Sequence, residues 1–481
     1  MENSILNLEP KRVFYYFNEL SKIPRGSGNE KGVSDYLVSF AKELGLEVFQ
    51  DKENNVLIKK PATKGYENKP GVILQGHLDM VAVKDIDSKH DFMKDGLDLY
   101  IDGDFVKARG TSLGADNGIA VAMGMALLEA QDLKHPAIEL LATTDEENGM
   151  TGAANLGFDN ISGQMLINID SEEEGIFLAS CAGGVRSLVT LPIEMERSLY
   201  RKSYRLVFEG VTGGHSGMEI NKNRANAIKL LGRVLSELDR EFDYDLARVD
   251  GGEKMNAIAK LAECIISTNA EYANILDFVQ ILNDKFKREY ALSEPTLNLA
   301  LVEVPFEEKV LVKASKTAVI DYLRLMPNGI QSMSQSIEGL VESSLNIGIL
   351  TQTGDSVLFE SAIRSSVKSL KYEITDRIDR LARMVGAEQQ LKSDYPEWAY
   401  KIDSELRTKF LSAYKKLFDK EGVVDAIHAG LECGLLTEKI GDMDMISFGP
   451  NMYDVHTPKE RLSIQSTENS WKLLVEVLEQ L

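Results

Sequence analysis

The sequence predicts an α/β fold: a domain with a central sheet flanked by helices, interrupted by an inserted α+β domain. Three observations carry this expectation. Short β-rich runs alternate with helical periodicity from the N-terminus to Ile169, which is the pattern of a sheet layered with helices. The C-terminal stretch returns to the same character, while the middle is a looser mixture of strands and helices. A chain of 481 residues is also too long for one ordinary domain. Two domains are therefore expected, a discontinuous one over 1–185 and 397–481 and an inserted one over 186–396.

In chain order, helical spacing predicts helices over Glu9 to Leu20 and Lys31 to Leu44, with Ser27-Gly28-Asn29-Glu30 as a capping box between them. Strands are expected at Glu47 to Gln50, Val56 to Lys59 and Val72 to Gln75, separated by polar and Gly/Pro/Asn segments. Ile119 to Ala130 reads as an apolar helix, and Ile138 to Thr143 and Met165 to Ile169 as buried strands. The insert opens with strands at Leu188 to Glu194 and Tyr204 to Glu209 and a helix at Arg224 to Leu238. Its second part repeats the theme, with strands at Lys309 to Ala314 and Ser356 to Ser365 and helices near Ser332 to Glu342 and Ile374 to Met384. A strand at Met443 to Phe448 and a helix at Ser466 to Leu481 close the chain.

The net charge of −21 excludes nucleic acid and anionic membrane as primary partners, because either needs a basic surface that releases counterions. The composition, 43% hydrophobic and 27% charged, is that of an ordered globular chain. No apolar run reaches spanning length, and the N-terminus lacks the apolar core of a signal peptide, so a cytoplasmic protein is expected. Cys181, Cys264 and Cys433 are widely spaced, which speaks against a disulfide framework or a thiolate zinc site. Cys433 near His428 is read as a packed small side chain rather than a nucleophile.

Five motifs carry the candidate chemistry. Val72 to Met80 contains His77-Leu78-Asp79, and strand alternation sets both polar side chains on one side, where Asp79 can hold the second ring nitrogen of His77. Taken alone, a satisfied histidine at a strand end is the blander reading. Asp116 precedes the apolar helix and could be its N-cap. Asp145-Glu146-Glu147 follows a buried strand, and Asp170 ends another, at the strand edge where open α/β sheets place their sites. His456 follows the C-terminal strand. Any one of these acids could be a solvated loop residue. Together, several strands deliver a His or carboxylate to one edge in a chain with only six histidines. Two imidazoles and three carboxylates, without thiolates, suit a pair of catalytic zinc ions about 3.5–4 Å apart.

With their flanking residues, these motifs resemble the di-zinc aminoacylase and carboxypeptidase superfamily. Ile23 to Glu30, GHLDMV, ARGTSLGADNG and His428-Ala429-Gly430-Leu431-Glu432-Cys433-Gly434 point to the branch that contains the aminoacyl-histidine dipeptidases. The resemblance spans the chain and implies a di-zinc exopeptidase-like catalytic domain with a central mixed sheet and an inserted lid domain. It implies that His77 and Asp170 hold one Zn2+, Glu147 and His456 the other, and that Asp116 bridges them, with Mn2+ or Co2+ as substitutes. Glu146 would be the general base, Asp79 would orient His77, and Asp145 would be structural. His215, in Gly213-Gly214-His215, would stabilise the oxyanion from a closed lid or a partner subunit, although a plain turn histidine is the alternative. Asn256, Arg364 and Gly430 match substrate-binding positions.

The implied activity is hydrolysis of dipeptides, Xaa-Xaa and Xaa-His such as carnosine. The implied assembly is a homodimer through the lid. An N-acyl-amino-acid deacylase or tripeptide exopeptidase is the rival within the superfamily, and a non-catalytic binding protein the rival outside it. His90 and His135 are read as surface residues.

Overall fold

The computed structural model describes residues 4–441 and 443–481. The chain divides into two compact units, one comprising 1–180, 400–426 and 431–481, the other 181–399 and 427–430.

The first unit is built on a mixed sheet. Four parallel strands form its centre, in the order Ile138–Thr143, Val72–His77, Met165–Asn168 and Asp444–Ser447. Antiparallel strands extend it on both sides, Val56–Lys60 then Glu47–Gln50 on one and Ile176–Cys181 on the other. Strands 72–77, 138–143 and 165–168 are buried at every position, as expected of parallel strands covered on both faces. The helix Ala115–Glu129 is apolar all round and buried along nearly its whole length, so it packs as an internal layer rather than a surface helix. Its approach is close: a Cβ on Gly76 would run into Asn117 Oδ1 and lie 2.6 Å from Ala120 Cβ. Only glycine fits there. Asn117 uses the contact, accepting His77 N–H at 3.2 Å and donating to Ile169 O at 2.7 Å.

The second unit carries an antiparallel sheet in the order Asn298–Val304, Lys202–Glu209, Ala262–Thr268, Asp245–Gly251, Val341–Gln352, Ser356–Ser365, Gly183–Pro192 and Glu388–Tyr395. Helices Ala227–Glu241, Tyr272–Glu289, Lys313–Leu325 and Lys368–Met384 supply apolar residues to the core that this sheet shares. The predicted α/β class with a central mixed sheet and helices agrees with this architecture.

Several local expectations need correction. Ser332 to Glu342 is not a helix. Gly329–Met333 pairs antiparallel with Val341–Gln352, and the turn between them holds Gly339 at φ +79°. Serines drive it: Ser334 Oγ accepts the N–H groups of Ser336 and Ile337, a local bond that competes with helix formation. The strand expected over Lys309 to Ala314 stops at Leu311, because the helix Lys313–Leu325 takes over and buries Val319, Ile320 and Leu323. The capping box at Ser27–Glu30 does not form. Ser27 Oγ donates to Asp79 Oδ2 at 2.8 Å, and Glu30 accepts the Gly28 N–H. His135 is buried, not on the surface, and its Nδ1 faces Pro136 O at 2.7 Å.

Candidate metal centre

The carboxyl ends of the central parallel strands bring together residues from distant parts of the chain. His77 ends its strand, Glu146 and Glu147 follow the strand ending at Thr143, Asp170 lies two residues past Asn168, and His456 follows Asp444–Ser447. Asp116 arrives separately. Gly114, in the left-handed region at φ +63°, takes the N-cap position, helical geometry breaks at Asp116 (φ −79°, ψ 101°) and Asn117, and the Asp116 carboxylate faces the cluster.

Asp116 presents one oxygen 3.1 Å from His77 Nε2 and the other 3.1 Å from His456 Nε2. Asp170 Oδ1 stands 3.5 Å from His77 Nε2, and Glu147 lies 3.0 Å from His456 Nε2. Glu146 Oε2 is farther from His77, at 4.0 Å. Ligand atoms of His77, Asp116 and Asp170 lie within 4.8 Å of one another, and so do those of Asp116, Glu147 and His456 and those of His77, Glu146 and Glu147. The two groups that share the Asp116 carboxylate could hold two cations.

Asp79 organises the cluster from beneath. Its carboxylate lies 3.3 Å from His77 Nδ1 and accepts the N–H groups of Glu146 at 3.1 Å and Glu147 at 3.2 Å. A proton on Nδ1 leaves Nε2 facing Asp116 and Asp170. Asp145, at φ +56°, accepts from Thr151 Oγ1 and turns away.

The electrostatics fit a cationic occupant. Burial works to lower the His77 pKa, yet Asp170, Asp116 and Asp79 outweigh it and push the imidazole well above its ordinary value. Hydrogen bonds to Asp116 and Glu147 raise His456 to about 10. Burial, with neighbouring carboxylates, holds the Glu146 carboxyl well above the usual range, although His77 opposes the shift. Carboxylates this crowded draw positive charge to the site, and divalent ions bound by imidazole and carboxylate meet that demand.

In the second unit, Gly214–His215 pairs with Ala257–Ile258, and Ser216 N–H donates to Asn256 O at 2.9 Å, so His215 and Asn256 are neighbours. His215 Nδ1 accepts the N–H groups of Gly217 at 3.3 Å and Met218 at 3.0 Å. Burial and the Arg364 charge lower its pKa, so the ring is neutral with its proton on Nε2. Arg364 donates to Tyr395 OH at 3.0 Å, while its buried Nε has no hydrogen-bond partner among the described residues. Gly217 brings the two motifs together: a Cβ there would lie 3.0 Å from Arg364 Nε and 2.5 Å from His428 O. Gly430 lies in the short connection after Val423–Ile427. Cys433 is fully buried, as a packed side chain should be.

Residues 73–480 match the model of peptidase family M20/M25/M40. The chain belongs to this peptidase family. It is 38% identical over 481 residues to the cytosol non-specific dipeptidase of Escherichia coli, covering 100% of this chain and 99% of that one. It superposes on the crystal structure of aminoacylhistidine dipeptidase from Vibrio alginolyticus with a TM-score of 0.96 and 37% identity, covering 99% of this chain and 98% of that one. Aminopeptidase PepT from Bacillus cereus shares the fold at a TM-score of 0.58 and 15% identity, over 98% of this chain and 99% of that one. The resemblance read from the motifs is therefore correct, and the protein is a hydrolase of the M20 peptidases. No helix among the described residues is long and apolar enough to cross a membrane.

Sequence reasoning passed over three buried residues beside the site. Arg25 donates to the carbonyls of Leu78, Asp79 and Gly114. Glu460 accepts backbone N–H groups of the Asp116 loop. Glu432 accepts Gln75 Nε2 and Thr143 Oγ1 below the cluster, where burial raises its carboxyl to about 7. Arg25 and Glu432 lie in stretches that the resemblance quoted, but no local pattern marks any of the three.

Proposed function

We propose that this M20 peptidase is a dipeptidase whose catalysis uses two divalent cations held by His77, Asp116, Glu147, Asp170 and His456. Zinc is the first choice for these N and O donors, with Mn2+ or Co2+ as substitutes. The observation that carries the reading is Asp116, whose two oxygens lie one against each imidazole, while Glu146 stands farther off, 4.0 Å from His77 Nε2. The dipeptidases of Escherichia coli and Vibrio alginolyticus, alike over the full length, support the substrate class.

Divalent cations held by these residues would supply Lewis-acid polarisation of the scissile carbonyl and lower the pKa of a water toward about 7. Glu146 accepts the water proton and passes it to the leaving amine. Asp79 keeps the His77 ring and the 146–147 turn in register. In this reading His215 supplies Nε2–H as the donor to the developing oxyanion. Arg364 captures the substrate's terminal carboxylate, with Asn256 and Gly430 completing the contacts. The reading includes a cytosolic location and a homodimer built through the lid.

Metal content and turnover measured together test it. Chelation should abolish hydrolysis of a dipeptide and added Zn2+ should restore it, while Glu146→Gln keeps its zinc and loses about 10²–10⁴-fold in kcat. Turnover of a tripeptide or an N-acetyl amino acid at the dipeptide rate would point to the rival substrate classes. Full activity in metal-free protein would refute the reading.

A further inference from the structure

The loop that carries Asp116 is held by a single carboxylate from the turn that carries His456. Glu460 is buried, with 3% of its surface exposed. Its Oε2 accepts the N–H groups of Leu113 at 2.7 Å and Gly114 at 3.0 Å, and its Oε1 those of Ala115 at 2.9 Å and Asp116 at 3.4 Å. These are consecutive amides leading into the helix Ala115–Glu129, where the backbone at Asp116 and Asn117 departs from helical geometry and the carboxylate supplies the acceptor. A carboxylate there also meets the positive end of the helix dipole. The opposite side of the loop is gripped as well. Arg25 donates to Gly114 O and, through its other nitrogen, to Leu78 O at 3.0 Å and Asp79 O at 3.1 Å. Gly114 is thus fixed through its N–H by Glu460 and through its carbonyl by Arg25.

The His456 turn is tied to the same point. Glu460 N–H donates to Thr457 O at 3.1 Å, and Thr457 Oγ1 donates to Asp454 O at 2.6 Å. Directly after Glu460, Arg461–Ser463 pairs with Phe105–Ala108, the strand that leads into the Asp116 loop.

We infer that Glu460 is a positioning residue that couples the Asp116 loop to the His456 turn and sets both ligands in place before any cation binds. The inference rests on the reading of Asp116 and His456 as cation ligands. Because Asp116 belongs to the group with His77 and Asp170 and to the group with Glu147 and His456, loosening its loop weakens both cation sites and not only the one that includes His456.

Two measurements on the full-length protein test this. The first titrates Zn2+ into metal-free parent and Glu460→Gln protein against a competing chelator. Glutamine fills the same space but turns an NH2 group toward amides that need an acceptor. A loss of about 10–100-fold in affinity at both sites, with apoprotein that remains folded by circular dichroism, is expected. Affinities within about twofold of the parent would overturn the inference. The second needs no variant and stands even if Glu460→Gln does not fold. In metal-free parent, hydrogen exchange of the 113–116 amides should already be slow, with Zn2+ adding little. Free exchange in apoprotein, becoming slow only with Zn2+, would overturn it. Failure of the metal reading itself looks different, because the parent would then bind no Zn2+ in the first titration.

Discussion

The Asp79 carboxylate accepts the backbone N–H of Glu146 at 3.1 Å while lying 3.3 Å from the Nδ1 of His77. One side chain therefore sets both a histidine ring and the short helical turn that carries two glutamates. Asp79→Asn keeps the size but gives up one acceptor and the charge. It should lower kcat by about 10–100-fold and weaken zinc binding, with little change in KM. Steady-state kinetics alongside zinc content checks this, and unchanged kcat would show that the turn holds itself.

His215 and Arg364 should separate in kinetics. On the proposed reading His215→Ala removes a donor needed only as the oxyanion forms, and kcat should fall by about 10²–10³-fold while zinc content is retained. On the same reading Arg364→Ala removes a contact that substrate and transition state share, and KM should rise more than kcat falls. Equal effects on both parameters in both variants would contradict the assigned roles.

Gly76 lies against the helix that begins near Asp116. Gly76→Ala sets a methyl against Asn117 Oδ1 and 2.6 Å from Ala120 Cβ, so the Asn117 side chain or the helix must shift. A loss of about 1–3 kcal/mol in stability is expected, measured by denaturant unfolding of the metal-free protein.

His428 should make the second unit sensitive to acid. The ring is buried, its Nε2 lies 2.7 Å from Ser344 Oγ, and burial followed by the Arg364 charge lowers its pKa to about 4. An unfolded histidine titrates near 6.5, so between pH about 6.5 and 4 the unfolded chain binds the proton that the folded chain refuses. The neutral ring's contribution is whole above that window and declines as pH falls through it, by at most about 3 kcal/mol. Unfolding midpoints at pH 7 and 5 should converge in His428→Gln relative to the parent. An identical pH slope in both proteins would remove His428 from the account.

The strands 47–50, 138–143 and 356–365 stand where periodicity expects them, because a strand's pattern is written in a few adjacent side chains. The identities of the metal-site candidates were legible for a related reason. A His or carboxylate just past a buried strand is a local pattern, and its flanking residues carried the resemblance to the M20 peptidases. Which atoms meet was not legible. His456 faces Asp116 across 340 residues, and Glu460 holds the Asp116 amide across 344. Ser27 has the sequence of a cap but gives its hydroxyl to Asp79, and Ser332 to Glu342 has helical spacing but forms a hairpin. At Ser27 a weak local preference, worth about 1 kcal/mol, yields to a hydrogen bond that exists only once a remote segment has packed against it, and at Ser332 to Glu342 it yields to a competing local turn. The sequence alone therefore determined which groups are available for chemistry. Tertiary structure decided their partners, because a hydrogen bond depends on distance in space, and spacing along the chain does not encode it.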